Sequence, residues 1–183
     1  MKSRFGRILR FTLWIVGVIV LLFLSAVGGL WFWYDREVSA PLPSDASLTQ
    51  NFYEHRIDIE RLRKMAVHDN LIRIAPTFTR LQNDWSWPRT DVGISQPRWD
   101  LYRELFRKVG SDTGIDYDNP YFVLTEASRG FISAGSSKGY IYTPTLPSPV
   151  VSTLDEFPRG ANYDIRLYEH LTGNWYIFLE RGG

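Results

Sequence analysis

Cysteine is absent from the 183 residues, which excludes a disulfide, a thiolate metal site and a lipid-attachment thiol. Histidine is scarce as well. His55, His68 and His170 are the whole set, and no two of them have a metal-ligand spacing such as H-E-x-x-H, so neither metal nor cofactor is expected. A basic face is also lacking. The formal net charge is +1, but four of the 21 Lys and Arg (Lys2, Arg4, Arg7, Arg10) precede a long uncharged run, and the rest of the chain carries more acid than base. That balance argues against a nucleic-acid partner. There is no internal repeat, and the length after the run suffices for one domain with its own core.

The uncharged run is "FTLWIVGVIVLLFLSAVGGLWFWY", residues 11–34. As a helix it reaches roughly 36 Å at about 1.5 Å per residue, more than the roughly 30 Å hydrocarbon core of a bilayer. Trp14 near one edge and Trp31, Trp33 and Tyr34 at the other stand where amphipathic rings favour the headgroup layer. The sequence therefore predicts a basic cytoplasmic tail at 1–10 and a transmembrane helix at 11–34 in contact with the lipid bilayer of a bacterial inner membrane. By the positive-inside rule the carboxy-terminal domain is then periplasmic or extracellular. A cleaved signal peptide is the competing reading. The run is longer than the roughly 7–15 residues of a signal h-region, and "VSA" at 38–40 is followed by Pro41, which favours an uncleaved signal anchor.

Residues 35–47 read as a polar, proline-containing linker. "SLTQ" at 47–50 has capping-box spacing and opens a helix to about His68, with Leu48, Phe52, His55, Ile59, Leu62 and Ala66 on one stripe. Ser95 precedes a second helix that ends at Gly110 and buries Trp99, Tyr102, Leu105, Phe106 and Val109. "LIRIAPTF" at 71–78 alternates weakly. The period then switches to two in "YFVLTEA", "RGFISA", "GYIYT", "YDIRLYE" and "NWYIFLE". The expected fold is α+β: an N-terminal transmembrane helix, then one domain at 48–183 with two helices packed on a mostly antiparallel sheet of about five strands.

"FISAGSSKGYIY", residues 131–142, has the small residues and lysine of a phosphate loop. Such a loop must feed a helix, because the helix amino end binds the anion. Here alternation and prolines follow, so Gly135 and Gly139 are expected to supply positive φ at a hairpin turn. Ser137 beside Lys138 lacks an oxyanion hole. "TPTLPSP" at 143–149 reads as an extended crossover rather than a recognition motif. Asp112, Asp116 and Asp118 in "DTGIDYDNP" lack the EF-hand pattern and read as a solvated turn.

Two sets of residues carry the functional expectations. Tyr168, Tyr176 and Phe178 alternate away from Ile165, Leu167, Trp175, Ile177 and Leu179, which should meet the helices. That leaves an aromatic second face, covered by a loop such as 78–94 with Trp85 and Trp87 or offered, together with Lys138, to a partner. The only acid-base candidates are His55 and His170 with a carboxylate such as Asp69 or Glu169.

The stretches "WSWPRTDVGIS", "GSSKGYIY" and "GNWYIFLE", with "RLYEHLTGNW" between, resemble a family of bacterial membrane-anchored domains to which no function is assigned. No activity, cofactor or site residue comes with that resemblance. The sequence thus points to an anchored domain that binds a periplasmic or envelope protein or another envelope component without catalysis. The alternatives are a tethered hydrolase using a His/carboxylate pair, and an immunity-type inhibitor of a periplasmic toxin.

Overall fold

In the computed structural model the described residues are Trp14, 17–29, 31–32, 40–76, 79–81, 94–131, 134–157 and 164–182. The chain divides into two compact units, Met1–Ala40 and Pro41–Gly183. In the first, Trp14, 17–29 and 31–32 are helical and exposed. Among the described residues no helix is long and apolar enough to cross a membrane. This overturns the transmembrane helix expected at 11–34 and the single-pass anchor built on it. Trp14 and Trp31, expected as interfacial anchors, are exposed helical side chains, whereas Trp33, Tyr34 and the basic tail lie outside the described residues.

The second unit opens with α1 (Asp45–Asp69). Ser44 is its N-cap, and the Ser44 hydroxyl accepts from the Ser47 amide at 3.2 Å. The helix therefore begins two residues before "SLTQ", inside the expected linker. Leu48, Phe52, Ile59, Leu62, Met65 and Ala66 are buried, but His55 marks a kink (φ −112°, ψ 16°) and is only half-buried. α2 (Gln96–Val109) follows Ser95 and ends at Gly110 in the left-handed region (φ 80°). Its buried residues are Trp99, Tyr102, Leu105, Phe106 and Val109, the stripe that helical period dictates.

The strands are β1 (Leu71–Ile74), β2 (Thr79–Leu81), β3 (Gly114–Asp118), β4 (Tyr121–Phe131), β5 (Ala134–Tyr142), β6 (Val150–Val151), β7 (Ile165–Thr172) and β8 (Trp175–Gly182). They form one sheet in the order β2-β1-β3-β4-β5-β8-β7-β6. It is a mixed sheet, because β6 runs parallel to β7. The five-strand, two-helix expectation is corrected: eight strands are described and, with the helical residues of the first unit, three helices. Three causes account for the difference. A register shift between Thr125 and Ala127 lets β4 absorb "YFVLTEA" and the start of "RGFISA", as far as Phe131, as one bulged strand. "GSSK" is no turn but the middle of β5, paired on both sides. β2 and β6 are too short to show alternation, and β3 is written in residues that ordinarily make turns.

Alternation divides the sheet. One face sends Phe122, Leu124, Tyr140, Leu167, Trp175, Ile177 and Leu179 into the core shared with both helices. Tyr140 fixes that packing: its hydroxyl donates to the Leu48 carbonyl at 2.8 Å and accepts from Asn51 Nδ2 at 3.1 Å, while Asn51 also donates to the Val109 carbonyl at 3.0 Å. The other face carries a separate cluster of Ile141, Tyr168, Tyr176 and Phe178, with Val123 against it.

Candidate functional site

On the helix side β5 buries a cation. Lys138 lies between Gly139 and Ser137 in a strand, so its side chain shares the face of Tyr140. It is 2 % exposed. Lys138 Nζ pairs with Asp45 Oδ1 at 2.6 Å and Asp155 Oδ1 at 2.7 Å, and donates to the Pro43 carbonyl at 2.9 Å. Asp155 and Pro43 take hydrogen bonds from the ammonium, and Asp45 Oδ1 stands against it as an ion pair. Asp45 Oδ2 in turn accepts from the Thr153 hydroxyl and the amides of Leu154 and Asp155. Burial raises the Asp45 carboxyl, but the hydrogen bonds from Lys138, Thr153 and Leu154 outweigh it and hold the group down at about 2. Glu169 joins the cluster from β7. Burial, then the hydrogen bond and charge of Asp45, push its carboxyl up to about 7. The cluster clamps the start of α1 to β5, β7 and the 153–155 turn.

The glycines around Lys138 follow from the strand. Neither Gly135 nor Gly139 has a positive φ, so the hairpin-turn expectation is corrected. A Cβ on Gly139 would lie 2.2 Å from the Leu124 carbonyl oxygen and 2.8 Å from the Glu126 amide nitrogen, because the bulge brings the β4 backbone close. Beside that bulge, Glu126 Oε1 is buried with no hydrogen-bond partner among the described residues. Burial, then the charge of Asp112, push the Glu126 carboxyl up to about 8.

The acid-base candidates do not assemble. Asp69 is held by Arg98 at 2.7 Å, by the Tyr102 hydroxyl at 2.9 Å and by His68 at 3.0 Å. It ties the end of α1 to α2, and those hydrogen bonds lower its carboxyl against the opposing effect of burial. His170 Nε2 lies 3.1 Å from the Gly173 carbonyl, and its ring meets Tyr176 edge-on at 5.1 Å. Glu169 is its neighbour in sequence, but adjacent strand residues face opposite sides of the sheet. His55 is paired with neither. Among the described residues no cluster of three His, Asp or Glu suits a metal ion. Asp116 and Asp118, read as a turn, belong to β3, and Asp116 pairs with Arg73 at 3.5 Å.

The second face holds a cleft of about 500 Å³. Val123, Ile141 and Tyr168 supply its apolar floor, Asp116 and Asp118 one end, Arg166 the other. The 143–147 segment forms a rim, where the Thr143 hydroxyl donates to the Thr145 carbonyl at 2.8 Å and Leu146 is 80 % exposed. Arg166 is bound to Glu180 at 2.6 Å. Of the residues nominated for a partner surface, Tyr168, Tyr176 and Phe178 are buried and Lys138 lies on the opposite face, so together they present no surface. Tyr168 alone of the four lines the cleft. The covering loop with Trp85 and Trp87 lies outside the described residues.

The chain matches no protein-family model, no curated protein and no solved structure.

Proposed function

We propose that the second unit is a non-catalytic binding domain that holds its partner molecule in the cleft on the sheet face away from the helices. The observation that carries this reading is the composition of that cleft: an apolar floor with a few polar groups at its ends, in the size range of small-ligand sites, and no histidine among its lining residues. The charges of the Lys138, Asp45 and Asp155 cluster are engaged with one another and with the backbone, so they hold the fold rather than await a substrate. A fragment screen followed by amide chemical-shift mapping on the full chain tests the reading. Hits should perturb Val123, Ile141 and Tyr168, and Val123→Phe, which fills the floor, should abolish them. Turnover of chromogenic esters or phosphoesters that disappears in His170→Ala or His55→Ala would favour a hydrolase instead.

A further inference from the structure

The β3–β4 register sets Asp118 directly opposite Tyr121, so both side chains stand on one face at one end of the cleft. Their surroundings differ from those of the other charges there. Asp116 is paired with Arg73 and Arg166 with Glu180, whereas Asp118 has no ion pair or hydrogen bond among the described residues, and the cleft is left with an unbalanced negative charge. Tyr121 is 41 % exposed, and its hydroxyl lies 3.4 Å from the Thr145 hydroxyl of the rim. A carboxylate beside an accessible aromatic ring is the pairing that attracts an organic cation. The apolar floor of Val123, Ile141 and Tyr168 adjoins it.

Resting on the binding reading above, we propose that the cleft selects a small amine: an aromatic or branched apolar group seated on the Val123, Ile141 and Tyr168 floor, with its primary ammonium held between the Asp118 carboxylate and the Tyr121 ring. A carboxylate ligand of the same shape is repelled at that end. A neutral one gains nothing from Asp118, which stays hydrated at its exposed position. The size of the cleft favours a small molecule over a protein surface.

The test is titration of the full chain with phenethylamine, 3-phenylpropanoate and benzyl alcohol, followed by amide chemical shifts. Phenethylamine should perturb Val123, Ile141 and Tyr168 and bind about tenfold or more tightly than the anion. Asp118→Asn and Tyr121→Leu, both at exposed positions, should each weaken the amine roughly three- to fivefold and leave benzyl alcohol unchanged. Equal binding of amine and anion, or an amine affinity untouched by Asp118→Asn, overturns the ammonium assignment while the cleft still binds. If no probe perturbs the floor and Val123→Phe changes nothing, the binding reading itself falls with it.

Discussion

On the helix side of the sheet Lys138 is buried, ion-paired with Asp45 and Asp155 and hydrogen-bonded to the Pro43 carbonyl; on the other side Asp118 stands in an open cleft with no partner among the described residues. Both are charges on strands of one sheet, yet their energetics are opposite. Taking Lys138 and Asp45 out of water costs several kcal/mol per ion, which only a complete set of partners offsets. Once offset, the pair faces inward, with Lys138 2 % exposed, and offers a ligand no accessible charge. Asp118 stays hydrated, costs little to keep, and retains its full capacity to pair. A buried charge here reports on how the fold is held, and an exposed one beside an apolar floor reports on what the fold can hold.

The largest effect should come from breaking the buried side. Lys138→Met leaves Asp45 buried without its cation and should cost about 3–5 kcal/mol, read from urea unfolding of the full chain. Lys138→Met with Asp45→Asn should be less destabilised than the single variant, since the orphaned charge goes too. A single-variant loss below about 1 kcal/mol would show that the cluster contributes no clamp.

Next in size is the strand that carries the lysine. Gly139→Ala puts a methyl group against β4 backbone that cannot swing aside and should cost about 1–3 kcal/mol or more. Gly135→Ala meets only the Arg129 carbonyl oxygen at 3.4 Å and should stay within about 0.5 kcal/mol. Equal losses in thermal unfolding would mean that the close approach at the bulge is not what selects glycine.

This pair also shows where sequence reasoning reaches its end. The buried stripes of α1 and α2 and the two faces of β7 and β8 were legible, because each is a local periodicity that burial enforces. "GSSKG" was not. Its composition is that of a turn, and only pairing with β4 on one side and β8 on the other makes it a strand. The cluster around Lys138 was hidden for a related reason: Asp45 and Asp155 are 110 residues apart, and no spacing announces a contact that the sheet order creates. Asp118 reads as part of a turn and Tyr121 as the start of a strand, so their shared face emerges only from the register. The run at 11–34 misled in the opposite way, since composition alone described a span, whereas among the described residues no helix is long and apolar enough to cross a membrane.

A smaller effect separates buried acid from open acid by pH. The Glu126 carboxyl, pushed up to about 8 in the folded protein from its usual 4.5, keeps its proton across a range where the unfolded chain has released it. Unfolding therefore releases a proton between roughly pH 4.5 and 8, and stability falls as pH rises through that window, by at most about 1.4 kcal/mol per pH unit for one group. The Glu126 contribution is fully present below pH 4.5 and gone above pH 8. Glu126→Gln keeps the neutral form at every pH and should flatten the profile, gaining most at pH 8 and little at pH 5. A parallel profile in the variant would assign the slope to Glu169, whose carboxyl is raised to about 7.

The smallest effect belongs to the cleft, and its smallness is the point. Leu146 is 80 % exposed, so Leu146→Ser returns almost no apolar area to water. Asp118 has no bond among the described residues to lose, and Asp118→Asn removes a charge that repels Asp116 on the same face of β3. Both should change unfolding free energy by less than about 0.5 kcal/mol, measured in the same urea series as Lys138→Met. A loss above about 1 kcal/mol in either would mean that the rim is packed against structure rather than open to a ligand, and the contrast between a face that holds the fold and a face free to bind would collapse. If stability is unmoved while the amine affinity of Asp118→Asn drops, the carboxylate serves recognition alone.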